Sequence, residues 1–176
     1  MDSSNKKLLS AVHFICKQMG SEPEKLGLVK LHKILWYTDV WSFRHTGMSM
    51  TGGHYIRMPY GPCLQELTAT LKTLKSQGKV FENEGEYFGY EQRQMIGKGT
   101  PDTSLLTDRE VRLLEDFIKD VCESHTAASI SEKSHKDRVW QIAADGEAIP
   151  LEATLVRFIP PDPESIREAK QELGIA

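Results

Sequence analysis

The sequence predicts a mainly α-helical fold: a single compact helical domain with a small β element, namely one short strand and one β-hairpin. Two observations favour this fold class. Apolar residues recur at helical spacing through most of the chain, whereas alternating β-forming runs are confined to residues 54–58 and 79–97. The length of 176 residues, with 39% hydrophobic and 27% charged residues, suits one domain that buries a core.

The first two predicted helices come before any β-forming run. An apolar stripe over residues 4–19 predicts an amphipathic helix, with Gly20 as a left-handed stop. Residues 24–47 are apolar on nearly every side, so we expect them to form the central, buried helix. Its last turn is basic and Gly47 follows, which is the usual pattern of a helix end.

The stretch GGHYIRMPYGPCLQEL, residues 52–67, predicts a rigid corner. An alternating run from His54 to Met58 favours a short strand, and Pro59 ends it. Pro62 suits the first turn of a helix, where a missing N–H costs nothing, and leucines at helical spacing would continue that helix to Gly78. The prediction is therefore a strand-to-helix turn whose angle two prolines fix.

The remaining elements follow in order. Residues 79–97 predict a β-hairpin that turns at residues 83–85. Thr107 and Glu110 form a capping-box pattern ahead of a long amphipathic helix, and shorter helical segments follow near residues 127–135 and around Trp140. Asp162 is predicted to cap a charged terminal helix from Pro163 through Leu173.

Charge and cysteine usage narrow the class of protein. Residues 1–80 carry 11 Lys or Arg and five Asp or Glu, whereas residues 81–176 carry 11 and 20. The basic half has no clustered Lys/Arg run, so we do not expect direct nucleic-acid binding. The sequence has no run of eighteen apolar residues, so we predict no membrane span. The N-terminus lacks a signal-peptide pattern. Three widely spaced cysteines predict reduced thiols in the cytoplasm; they are Cys16, Cys63 and Cys122.

Four polar and aromatic residues share one stripe of the predicted central helix: His32, Trp36, Asp39 and Phe43. A buried histidine and carboxylate could form a catalytic or metal-binding pair. Internal hydrogen bonds are the alternative, because leaving either group unpaired in the core is costly. We favour the structural interpretation, since the two side chains are two helical turns apart.

No pattern of catalytic or metal-binding spacing occurs among the six histidines or the cysteines. Cys63 follows Pro62 near a predicted helix start, where a thiolate would be favoured, although a small apolar filler is the commoner role. The sequence therefore predicts neither an enzyme nor a cofactor. The enzymatic alternative would gather four residues around a metal in one pocket: His32, Asp39, His54 and His135.

Two separated segments carry motifs with a distinctive order of residues. The first combines a Leu-x-Lys helix, a Thr-Gly pair, an aromatic-containing strand and Tyr-Gly-Pro, on Leu31, Lys33, Ile34, Leu35, Trp36, Gly47, Thr51, Gly52, Tyr55, Tyr60, Gly61 and Pro62. The second is a Ser-His, Trp and Gly-Glu-x-Ile-Pro pattern, on Ser134, His135, Trp140, Gly146, Glu147, Ile149 and Pro150. In order and spacing over about residues 8–155, the chain resembles the Panacea domain, the SocA-like antitoxin family.

The resemblance implies a non-enzymatic antitoxin of a bacterial or phage toxin–antitoxin system, which binds and neutralises a cognate toxin. Residues 1–160 would form the antitoxin domain and residues 161–176 a C-terminal helical extension. An alternative is an adaptor that delivers the toxin to an AAA+ protease. Rigid turns, aromatic residues and the family motif together predict the partner-binding residues: Lys33, Tyr55, Arg57, Tyr60, Gly61, Pro62, Tyr87, His135 and Trp140.

Overall fold

Helices make up most of the regular structure, and two small antiparallel sheets complete it. A computed structural model describes residues 3–87, 89–156, 163–172 and 174. The α-helices are α1 Ser3–Gln18, α2 Leu28–Thr46, α3 Leu67–Ser76, α4 Asp108–Glu123, α5 Ala127–His135, α6 Arg138–Ile142 and α7 Pro163–Glu172. The strands are β1 Tyr55–Met58, β2 Gly61–Leu64, β3 Val80–Tyr87, β4 Tyr90–Gly97 and β5 Ala148–Ile149. The content agrees with the predicted mainly helical class, although the strands are more extensive than expected.

Helix α2 is the central helix, as predicted. Its buried side chains include Leu31, Ile34, Leu35 and Trp36, and helices α4 and α5, strand β2 and the 3-10 helix Leu151–Leu155 pack around it. The helix ends at Gly47, whose φ of 75° is left-handed. The core that surrounds α2 is built mainly from leucine, isoleucine and valine side chains on α1, α3 and α4.

The predicted corner at residues 59–62 is a β-hairpin, so the prediction of a helix that starts at Pro62 was wrong. Strands β1 and β2 are antiparallel, and Met58 pairs with Gly61. Pro59 and Tyr60 therefore form a two-residue turn. Pro62 pairs with Arg57 in the register of the two strands. The backbone of Arg57 points to the other side of β1, where its N–H donates to the Glu147 carbonyl and its C=O accepts from the Gly146 N–H. The Pro62 nitrogen thus faces away from β1, where its missing N–H removes no ladder bond. The sheet order is β2-β1-β5.

The second sheet is the predicted hairpin with its turn in a different place. Tyr87 pairs with Tyr90, so the turn lies between these two residues rather than at residues 83–85. Gly85 lies inside β3, and a Cβ atom there would lie 2.3 Å from the Gln94 side chain. That glycine therefore provides room for a cross-strand neighbour and does not form a turn.

Helix termini test two further predictions. The capping box of Thr107 and Glu110 is present at the start of α4, with both reciprocal hydrogen bonds. Helix α1 ends at Gln18, and Gly20 is not among the left-handed glycines, so its predicted role as a left-handed stop was wrong. Asp162, Leu173 and the predicted domain boundary at residue 160 lie outside the described residues. No helix within the described ranges is long and apolar enough to cross a membrane.

Candidate protein-interaction site

The turn of the β1–β2 hairpin presents its side chains outward. Tyr60 at the turn is 66% exposed and Met58 beside it is 38% exposed. Both are large apolar groups at the tip of a two-residue turn. The turn region therefore exposes two large side chains to solvent.

A buried lysine supports the hairpin from below. Lys33 on α2 has no exposed surface, and its Nζ donates to the carbonyl oxygen of Pro62 at 3.0 Å. Burial lowers the pKa of Lys33 to about 8. Gly61 lies against both Lys33 and buried Ser134. A Cβ atom at position 61 would be 2.5 Å from Lys33 Nζ and 2.1 Å from Ser134 Oγ. Helices α2 and α5 therefore meet strand β2 at a point where only glycine fits.

Trp140 on α6 joins the hairpin to the helices. Its indole Nε1 donates to the carbonyl oxygen of Met58 at 3.1 Å. The His135 ring stacks on the indole at 4.0 Å between centroids, with 15° between the planes. The Arg57 guanidinium also lies over the indole, 4.2 Å from its centroid. Trp140 thus connects strand β1, the end of α5 and its own helix in one stacked arrangement.

Arg57 holds the same region through charge and hydrogen bonds. Its Nε donates to the carbonyl oxygen of Trp140 at 3.0 Å, and a terminal nitrogen pairs with Asp145. The guanidinium is therefore partly neutralised by an acidic neighbour. The surface around the tip is consequently aromatic and apolar, with an arginine whose charge already has a partner.

A buried carboxylate anchors the other end of β1. Asp39 on α2 accepts hydrogen bonds from Thr51 N at 2.8 Å, Thr51 Oγ1 at 2.5 Å and Tyr55 Oη at 2.7 Å. Burial raises the pKa of Asp39, and the three hydrogen bonds oppose that increase. The Tyr55 ring also packs edge-on against Trp36 at 5.0 Å between centroids. Asp39 therefore has the structural role that we favoured from the sequence.

His32 makes a different internal hydrogen bond. Its Nδ1 accepts from the backbone N–H of Leu64 at 3.0 Å, so this nitrogen must be unprotonated. Burial, followed by the positive charge of Lys33, lowers the pKa of His32 to about 4. The imidazole is accordingly neutral at pH 7 and acts as an acceptor for strand β2.

We expect His32 to make folding stability depend on pH between about 4 and 6.5. In this window the unfolded chain binds a proton that the folded chain excludes, so stability falls as the pH is lowered from 6.5 to 4. The expected loss from this group is about 2–3 kcal/mol. Urea unfolding at several pH values measures it. His32→Gln should flatten the dependence; an equal slope in His32→Gln and the unmodified protein would contradict the assignment.

The structure separates the predicted partner-binding residues by exposure. Tyr60 is exposed. Three more are partly exposed: Arg57, His135 and Trp140. Four others are buried and lie beneath or within the hairpin, where they can position it but do not reach its surface: Lys33, Tyr55, Gly61 and Pro62. Tyr87 lies on β3 in the other sheet, and its side chain is outside the described structure. The sequence analysis missed Met58 as a surface residue, although its place beside Pro59 was a signal.

The residues of the enzymatic alternative do not form one pocket. His32 bonds to Leu64, Asp39 to Thr51 and Tyr55, His54 to Glu66, and His135 stacks on Trp140. Within the described ranges, no three His, Cys, Asp or Glu residues are grouped as metal ligands. Cys63 lies on β2 rather than at a helix start, so that expectation was wrong, and burial raises the pKa of its thiol.

Comparison with known proteins gives one match. The sequence model of a family described as "Antitoxin SocA-like, Panacea domain" matches residues 31–141. The matched range runs from helix α2 through the β1–β2 hairpin to Trp140. No curated protein and no solved structure matches the chain.

Proposed function

Because the chain belongs to the SocA-like antitoxin, Panacea domain family, we propose that it is an antitoxin that neutralises a cognate toxin by direct protein–protein binding. We assign the contact to the hairpin platform, which consists of Arg57, Met58, Tyr60, His135 and Trp140. In this proposal the protein acts in the cytoplasm without catalysis. Residues 1–160 form the antitoxin domain, and residues 161–176 extend it.

The observation that carries the proposal is the family match, which spans every residue of the hairpin platform. The chemistry of the platform supports it. Tyrosine, tryptophan and arginine are the residues that most often dominate the binding energy of protein interfaces. A tyrosine that is 66% exposed at a supported turn can enter a pocket on a partner without first rearranging.

The charge of the platform indicates what kind of toxin surface would fit it. Arg57 is paired with Asp145, so the platform offers little net charge for a strongly charged partner. Met58, Tyr60 and Trp140 offer apolar and aromatic area instead. We therefore expect the toxin to present an apolar pocket that receives Tyr60, surrounded by groups that hydrogen-bond at its rim.

Co-expression with the product of the adjacent gene tests the proposal. We expect that product to stop growth alone and growth to return when both are present. Tyr60→Ala should weaken the complex about 30-fold or more, because it removes an aromatic anchor. Its effect on stability should stay within about 0.5 kcal/mol, because Tyr60 is exposed. Titration calorimetry on the purified pair measures the affinity.

Met48→Ala is the matched control, since Met48 is 70% exposed and lies after α2, outside the hairpin platform. It should bind like the unmodified protein. A harmless neighbour would overturn the antitoxin assignment. Full affinity in Tyr60→Ala would instead move the interface away from the hairpin platform.

The same co-expression distinguishes direct neutralisation from delivery to an AAA+ protease. Neutralisation by binding predicts that the half-life of the toxin is unchanged or longer in the complex. An adaptor would shorten it, and deleting residues 162–176 would restore it if helix α7 were the tether to the protease.

A further inference from the structure

Strand β3 is paired on one side only. Its inner edge bonds to β4, and no strand in the described part of the chain bonds to its outer edge. Strand β4, in contrast, has a bridge between Gln94 and Gly27 on its outer side. An unpaired strand edge presents a row of N–H and C=O groups that another chain can pair with.

The register shows which residues carry those groups. Tyr87 and Tyr90 close a two-residue turn and form a hydrogen-bonded pair, so hydrogen-bonded pairs recur at every second residue. The bond from Lys98 N to the Lys79 carbonyl oxygen lies in the same series. The odd-numbered residues of β3 therefore bond to β4. The even-numbered residues from 82 to 86 direct their N–H and C=O groups outward, and all three are glutamates.

The same glutamates form an acidic row on one face of the hairpin, because side chains two apart share a face. Glu82 pairs with Lys75 and with Arg93, although the register places Arg93 directly opposite Glu84. Glu84 and Glu86 make no salt bridge with any described residue. Glu86 lies directly opposite Glu91, and two like charges in this position repel each other.

We propose that the outer edge of β3 is a second interaction surface, which accepts an extended segment of a partner protein as an added β-strand with Lys or Arg at alternate positions. The backbone of the segment bonds to the outward groups of Glu82, Glu84 and Glu86. Its basic side chains lie on the glutamate face and relieve the repulsion there. This surface is in a different sheet from the hairpin platform and does not depend on the identity of the toxin.

The charge decides against a second copy of the same chain as the occupant. If two β3 edges paired with each other, the two chains would form one continuous sheet. The two rows of glutamates would then lie either on the same face of that sheet or on opposite faces. The first arrangement adds like charges, and the second leaves Glu84 and Glu86 of each row without an ion-pair partner. A basic segment satisfies the backbone groups and the carboxylates together.

The test uses the whole protein and a synthetic peptide that alternates lysine with valine. Hydrogen exchange followed by nuclear magnetic resonance reports each amide separately. On addition of the peptide we expect exchange to slow at Glu82, Glu84 and Glu86, while the neighbouring odd-numbered amides, already bonded to β4, change little. A peptide of the same composition with its lysines grouped at one end should bind at least about tenfold more weakly.

Two variants separate backbone pairing from charge. Glu84→Pro removes an outward N–H and a carboxylate without breaking a bond to β4, and Glu84→Gln removes the carboxylate alone. We expect the proline variant to lose at least about tenfold in affinity and the glutamine variant only a few-fold. Equal affinity in both variants, or no slowing at the even-numbered amides, would overturn the added-strand proposal. Dimerisation that Glu84→Pro abolishes would also overturn it, in favour of a second copy.

Discussion

Replacing Asp39 by alanine is expected to destabilise the protein by about 3–5 kcal/mol. The substitution removes a buried carboxylate that accepts hydrogen bonds from Thr51 N, Thr51 Oγ1 and Tyr55 Oη. All three donors would remain in the core without their acceptor. Because a domain of ordinary stability has only about 5–15 kcal/mol in total, this one substitution should remove a large part of it.

Urea unfolding, followed by circular dichroism, measures the change for Asp39→Ala. Tyr55→Phe is the matched control, because it removes one of the three donors and keeps the ring against Trp36. We expect it to cost about 1 kcal/mol. A loss below about 1 kcal/mol for Asp39→Ala would mean that the carboxylate does not anchor β1, and the structural role of Asp39 would have to be abandoned.

Replacing Gly61 by alanine is expected to cost about 3 kcal/mol and to displace the hairpin tip. Gly61 has a φ of 100°, and an added Cβ would meet Ser134 Oγ at 2.1 Å and Lys33 Nζ at 2.5 Å. Neither neighbour can move freely, since Ser134 bonds to Ser131 and Lys33 to Pro62. The methyl group therefore conflicts with both helices that support β2.

Gly47→Ala separates the steric effect from the backbone effect. Gly47 has a φ of 75°, but an added Cβ there meets nothing within 4 Å, so only the left-handed backbone should cost about 1 kcal/mol. The difference between the two variants in the free energy of unfolding measures the crowding at Gly61. Amide resonances of β1 and β2 should shift in Gly61→Ala only. Equal costs in the two variants would contradict the close contact.

The helices could be predicted because their signals are local. Apolar spacing identified α1, α2 and α4, and the capping box placed the start of α4 at the observed residue. The turns were harder. Pro62 suits both the first turn of a helix and a strand position whose nitrogen faces away from the ladder, and only the pairing of β1 with β2 decides between them. The turn predicted at Gly85 was wrong for the same reason. A side chain at this position would clash with Gln94 on the opposite strand, and only the pairing of the strands reveals that contact.

The candidate site was predicted in part. The rigid turn directed attention to Tyr60, and the family motif to Trp140, and both lie in the hairpin platform. Burial could not be predicted, because Lys33 is a polar residue whose acceptor, the Pro62 carbonyl, lies 29 residues away in the chain. A sequence pattern shows which face of a helix a lysine lies on. It does not show whether a carbonyl group of a distant strand lies within reach of the ammonium group.

Support from two helices has a consequence for the thermodynamics of association. A recognition loop that is disordered when free loses conformational entropy on binding, which reduces the affinity of the complex. The tip at Tyr60 is already held by Lys33 from below and by Trp140 from the side. A partner would therefore bind with little loss of conformational entropy at the tip. Substituting the tip side chains alone could then change which partner the protein binds, while the scaffold stays the same.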